Sequence, residues 1–162
     1  MSRKINPQKG FDVLLKAFKQ VNTTLSNTHL TIMGEGKQRE ELEFLAKDLN
    51  LEQNVSLVGY KENPYPYYYY SDLYILSSRY EGFPNTLLEA LACGTKVIAT
   101  NCKSGPIEII EDNNYGVLVP VDDEKVLAKS IIEYLKLENR TGNRANFFDI
   151  NKIINEYESL LL

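Results

Sequence analysis

Asp72-Leu73-Tyr74-Ile75-Leu76, then Ser77-Ser78-Arg79-Tyr80-Glu81-Gly82-Phe83-Pro84, then Asn85-Thr86-Leu87-Leu88-Glu89-Ala90-Leu91-Ala92-Cys93-Gly94, then Lys96-Val97-Ile98-Ala99-Thr100: the order of these pieces decides the fold. A short apolar run, a turn holding Gly and Pro, a helical stretch and a second apolar run read as strand, loop, helix and buried strand. The alternation extends both ways. Phe11, Leu14, Leu15, Phe18 and Val21 recur at helical spacing within 10–25, and 29–33 is a β-type run ending in Gly34-Glu35-Gly36. Leu42, Leu45, Ala46 and Leu49 mark a second amphipathic helix, and 55–58 reads as a strand closed by Gly59. Asn63-Pro64 opens a short tyrosine-rich helix. Downstream, 116–119 reads as a last strand, and 126–137 as a helix with Leu127, Ile131, Tyr134 and Leu135 inward. Such alternation predicts an α/β fold, a parallel sheet with helices on both faces and right-handed crossovers. Residues 1–140 form its domain, and 141–162 hold a linker and a C-terminal helix; the polar stretch is 138–146 and the amphipathic one 150–161.

A chain of 162 residues is one domain's worth, and 18 Lys plus Arg against 22 Asp plus Glu leaves a net charge of -4. That balance argues against nucleic acid held by bulk charge. Cys93 and Cys102 are too few for a disulfide framework, and the lone His29 supplies no metal cluster. No apolar run approaches the length of a membrane span, and no signal peptide is read.

Ligand sites in parallel sheets lie beyond the carboxyl ends of strands. The segments to inspect are therefore Gly34-Glu35-Gly36, Gly59-Tyr60-Lys61, 77–86 and 101–108. The helix starting near Asn85 offers unpaired N–H groups and a partial positive charge, a cradle for phosphate. Glu81 and Glu89 flank that start and suit neutral sugar or ribose hydroxyls better than an anion. Taken alone, Glu81 reads as a residue capping the helix region and Glu89 as a solvated face. Seven of the 11 tyrosines fall between Tyr60 and Tyr74. Successive helical side chains diverge by about 100°, so Tyr67, Tyr68, Tyr69 and Tyr70 cannot all be core. They read as packing mixed with half-exposed surface, or as a docking face. Cys93 reads as a small buried thiol.

The spacing of Glu81 and Glu89 resembles the Glu-x7-Glu motif of retaining glycosyltransferases of the GT-B fold (family 4, group 1 type). The resemblance continues through Lys96-Val97-Ile98-Ala99-Thr100, a strand, and Ser104-Gly105-Pro106-Ile107-Glu108-Ile109-Ile110, its following loop. Upstream it takes in Gly59-Tyr60, Asn63-Pro64-Tyr65, 71–78 and Gln8-Lys9-Gly10-Phe11-Asp12, so it covers roughly 3–137. It implies a Rossmann-like C-terminal half of a GT-B enzyme, binding a nucleoside-diphosphate sugar, a UDP-sugar by expectation. Arg3 and Lys9 would hold the diphosphate and offset charge on the leaving nucleotide. Glu81 would contact the donor sugar without acting as a nucleophile, and Glu89 would accept from ribose hydroxyls. Gly82, Phe83, Pro84, Asn85 and Thr86 would surround sugar and phosphate. Tyr60 and Lys61 would lie at the base, with Gly34 and Glu35 on the same edge. No cofactor or metal is expected, and Asp122-Asp123 reads as a solvated helix cap.

The finer resemblance, carried by Asn63-Pro64-Tyr65 and Ser104-Gly105-Pro106, is to lipid-linked oligosaccharide and capsule transferases. It implies a glycan or lipid-linked acceptor held by an N-terminal domain that these residues do not supply. It also implies a cytoplasmic enzyme, with peripheral membrane association of the full protein. The family's first strand ends in a Gly-Arg pair, whereas Met1-Ser2-Arg3 leaves at most a stub. The sheet is therefore expected to lack its middle strand, and the isolated chain to be inactive in transfer. The alternative from another class is a non-catalytic remnant or interaction module that keeps the fold.

Overall fold

The computed structural model describes residues 5–110 and 115–137. Arg3, the expected linker at 138–146 and the amphipathic stretch at 150–161 lie outside the described residues. After a 3-10 turn at Pro7–Lys9, the elements are α1 (Phe11–Thr24), β1 (Leu30–Ile32), α2 (Arg39–Asp48), β2 (Val55–Leu57), α3 (Tyr65–Tyr70), β3 (Leu73–Leu76), α4 (Asn85–Ala92), β4 (Lys96–Thr100), α5 (Pro106–Ile110), β5 (Val117–Val119) and α6 (Glu124–Lys136). All five expected strands are present, within a residue or so of the sequence reading. Two elements were not foreseen: the 3-10 turn, and α5, which the sequence reads as loop. Pro106 opens α5, a place where its missing N–H costs nothing.

All strand pairs are parallel, in two separate sheets: β1 with β2, and β3–β4–β5 with β4 between its neighbours. Every residue of β4 is buried, as a strand covered on both faces requires. Lys96 tolerates this because its ammonium donates to the carbonyls of Tyr134 (2.6 Å) and Leu137 (3.1 Å). Those carbonyls end α6, where the helix dipole favours a cation. At the other end of α6, the Asp123 carboxylate accepts from the N–H groups of Lys125 and Val126. The cap read from Asp122-Asp123 thus belongs to Asp123. Asp122 sits in the left-handed region and pairs instead with Arg79.

α1 buries Leu14, Leu15, Ala17, Phe18 and Val21, and its core is completed by Ile32, Ile98, Leu127 and Ile131. A second core on the other side of β3–β4 joins Tyr68, Leu76, Leu87, Leu91, Val97 and Ile110. Among the described residues, β1 and β3 each have a partner strand on one side only. A cavity of about 720 Å³ runs between them, lined by all of 29–33 and 71–78. Leu14 and Phe18 of α1 and Ile131 and Leu135 of α6 form its apolar floor. Ile5 donates its N–H to the Glu35 carbonyl, just past β1.

Candidate functional site

The cavity runs the length of β1 and β3, and beyond their carboxyl ends Lys9, Tyr60, Glu81, Phe83, Pro84, Asn85, Thr86 and Glu89 line it. Gly34, Glu35, Lys61 and Gly82 are not part of that lining. Gly34 and Glu35 sit beside it, because Gly34 donates its N–H to the Gly59 carbonyl at 2.9 Å. A Cβ on Gly59, which has φ +75°, would stand 2.7 Å from Glu35 Oε1. Glu35 pairs with Arg39 at 2.7 Å, and the Lys61 ammonium lies 6.0 Å from the Tyr67 ring centroid.

Glu81 is 7% exposed, which a carboxylate tolerates only with partners. Its Oε1 accepts from Lys9 Nζ at 2.7 Å and from Ser78 Oγ at 2.6 Å, and its carbonyl accepts from Ser104 Oγ at 2.7 Å. Glu81 is therefore a buried, ion-paired group rather than a helix cap. The loop behind it is braced by Gly105, whose φ is +84°. A Cβ there would meet Pro84 Cδ at 2.5 Å and the Gly82 carbonyl oxygen at 2.8 Å.

Lys9 reaches Glu81 because the turn carrying it is sewn onto the loop after β3. Ser77 Oγ donates to the Lys9 carbonyl, the Arg79 N–H to the Gln8 carbonyl, and Gln8 Nε2 to the Tyr80 carbonyl, each at 2.8 Å. The Arg79 guanidinium spans the junction. It grips both Asp12 oxygens at 2.9 and 2.8 Å, Asp122 Oδ1 at 2.7 Å and the Pro7 carbonyl at 2.7 Å. Hydrogen bonds from Arg79 hold the Asp12 carboxyl below the usual carboxylate range, and Asp12 in turn raises Arg79. Sequence reasoning missed Arg79 and Ser104 because their partners are distant in sequence, and Ser78 because a serine three residues before a glutamate carries no signal of its own.

On the opposite wall, α4 begins after Pro84, which offers no side-chain cap to the first N–H groups. Thr86 Oγ1 accepts from the Tyr74 hydroxyl at 2.9 Å, and Glu89 Oε2 from the Tyr68 hydroxyl at 3.2 Å. Glu89 is half-buried rather than a solvated face. Within α3, Tyr68 is buried while Tyr69 and Tyr70 are exposed, the mixture that helical divergence requires. Cys93 is half-buried; burial first, and the Glu89 charge second, push its thiol up, away from the reactive thiolate. His29, at the strand end of the cavity, bonds Ser56 Oγ at 2.9 Å. Among the described residues, no group of three or more His, Cys, Asp or Glu is placed to hold a metal ion, and no helix is long and apolar enough to cross a membrane.

A family profile described as "Glycosyl transferases group 1" matches residues 1–148. The N-acetylgalactosamine-N,N'-diacetylbacillosaminyl-diphospho-undecaprenol 4-alpha-N-acetylgalactosaminyltransferase of Campylobacter jejuni is 37% identical, over 98% of this chain and 45% of its own length. An uncharacterized glycosyltransferase of Methanocaldococcus jannaschii is 34% identical, over 98% of this chain and 48% of its own length. Among solved structures, TarM of S. aureus with fondaparinux, alpha-GlcNAc-glycerol and UDP superposes with a TM-score of 0.86 at 26% identity, covering 97% of this chain and 34% of TarM. The HepE protein of Anabaena with UDP shares the fold at a TM-score of 0.85 and 22% identity, over 99% of this chain and 47% of its own. The chain thus spans about half the length of the curated relatives it matches. It belongs to the group 1 glycosyl transferases and has the Rossmann-like half of a GT-B fold.

Proposed function

We propose that this member of the group 1 glycosyl transferases is the donor-binding half of a retaining enzyme that moves a sugar from a UDP-sugar to a glycan or lipid-linked acceptor. The observation that carries the reading is the convergence of Lys9, Glu81 and Glu89 on one cavity at the carboxyl ends of β1 and β3. Lys9, with Arg3, meets the diphosphate and offsets the charge that grows on the leaving nucleotide. The start of α4 supplies backbone donors to the same phosphates. Glu89 accepts from the ribose, and Glu81, anchored by Lys9 and Ser78, accepts from a hydroxyl of the donor sugar. Tyr60, with Gly34 and Glu35 behind it, borders the base. The sugar is transferred on one face, the leaving phosphate taking the acceptor's proton. The acceptor class follows the Campylobacter relative, whose name specifies a diphospho-undecaprenol glycan. Such an acceptor puts the working enzyme at the cytoplasmic face of a membrane.

The acceptor's positioning, worth several kcal/mol of the barrier, belongs to the other half of the cleft. Incubating this chain with UDP-sugars and lipid-linked or free glycan acceptors should therefore give no transfer, while nucleotide binding is retained. Robust transfer by this chain alone would overturn the split-cleft account.

A further inference from the structure

We infer that Tyr68 is a positioning residue for nucleotide recognition: its hydroxyl fixes the Glu89 carboxylate in the orientation that meets the ribose. The inference rests on the reading of Glu89 given above and goes beyond it, to what makes that carboxylate selective. Glu89 stands on the second turn of α4, half-buried and facing the cavity. A glutamate there has three side-chain torsions to restrict before it can discriminate between ligands, and ordering them at the moment of binding costs affinity.

Tyr68 removes much of that freedom beforehand. It is 1% exposed, and its hydroxyl donates to Glu89 Oε2 at 3.2 Å. The tyrosine is itself held at both ends. Thr95 Oγ1 donates to its carbonyl at 2.6 Å, and its ring meets Tyr74 edge-on at 5.4 Å and Tyr65 at 6.4 Å. Tyr74 in turn donates to Thr86 Oγ1, one turn earlier on α4. Two tyrosines in edge-on contact thus tie α3 and β3 to the first two turns of the helix that carries the ribose acceptor. A carboxylate accepts along about four directions, so one bond to Tyr68 leaves capacity for both ribose hydroxyls.

The test compares UDP with 2′,3′-dideoxy-UDP, which lacks both ribose hydroxyls, by calorimetry on the unsubstituted chain and on Tyr68→Phe, Tyr74→Phe and Glu89→Gln. The unsubstituted chain should prefer UDP by about tenfold or more, the range expected when a site built to bond hydroxyls meets a ligand without them. Tyr68→Phe, which keeps the ring and its edge-on contacts, should reduce that preference to about threefold or less. Its affinity for the dideoxy compound should stay within about twofold. Tyr74→Phe removes the neighbouring hydroxyl, which donates to Thr86 Oγ1, and should keep the full preference. If Tyr68→Phe does not fold, Tyr68→Met carries the same readout.

Full preference in Tyr68→Phe, with loss in Glu89→Gln, would overturn the inference and leave the ribose reading standing. Equal weakening of both ligands in Tyr68→Phe would make Tyr68 structural only and also overturn it. Full preference in Glu89→Gln, or no UDP binding by the unsubstituted chain, would overturn the ribose reading and the inference together.

Discussion

Lys9 Nζ lies 2.7 Å from Glu81 Oε1, an ion pair between residues 72 apart in sequence. The cation assigned to the diphosphate is thus held by the carboxylate assigned to the sugar. A nucleoside diphosphate must share Lys9 with Glu81, and removing either partner should change binding in opposite directions. Lys9→Ala should weaken UDP about tenfold or more at low salt, and the loss should shrink as salt rises, because it is largely Coulombic. Glu81→Gln should tighten UDP by a few-fold, about 1 kcal/mol, by taking a negative charge from beside the phosphates. Titrations at two salt concentrations check both. Weaker UDP binding by a folded Glu81→Gln protein would contradict the assignment of this pair.

Gly10 sets the geometry behind that contact. Its φ is +63°, and a Cβ would stand 2.1 Å from the Ser77 carbonyl oxygen. Gly10→Ala therefore combines left-handed strain with a backbone clash and should cost more than about 2 kcal/mol of stability. It should also weaken UDP, because the turn holding Lys9 has to move. Denaturant unfolding within about 0.5 kcal/mol of the parent would refute this packing.

The elements that could be read ahead of the structure are those whose signal is local. The helical period of Phe11, Leu14, Leu15 and Phe18 and the strand–loop–helix order around Glu81 reappear as α1, β3 and α4. α5 escaped because five residues show no period, although Pro106 was a start signal. The partners of Arg79 escaped because Asp12 and Asp122 come beside it only through the fold. The strand at 96–100 reads as buried, but what lets Lys96 share that burial, the carbonyls ending α6, is tertiary. The Glu81 and Glu89 positions were legible because of a motif; their ties to Lys9 and Tyr68 are tertiary.

Arg79 should stabilise the fold in a pH-dependent way. The Asp12 carboxyl titrates lower in the folded chain than in the unfolded one, so its contribution is full above the unfolded value and is lost as pH falls through the folded one. Arg79→Ala should cost about 1 kcal/mol at pH 7, a modest value because the pair is partly exposed. The two proteins should draw together in stability as pH falls through the folded value of Asp12, which lies below the ordinary carboxylate range. A constant difference from pH 7 to pH 2 would show that lost packing, not the ion pairs, accounts for the effect.

The lone edges of β1 and β3 should limit stability more than any side chain does. Among the described residues, β4 alone of the five strands has a partner on each side. Amide exchange should therefore be faster in β1 and β3 than in β4. Uniformly slow exchange across all five strands in a monomer would rule out an energetic gap.

Calorimetric titration of the folded chain with UDP, GDP and ADP tests the donor-binding account most directly. UDP should bind this chain at one site with a Kd on the order of 0.1–1 mM, more tightly than GDP or ADP, and Lys9→Ala should abolish most of the signal. No saturable binding of any of the three at millimolar concentration, by protein shown to be folded, would contradict it.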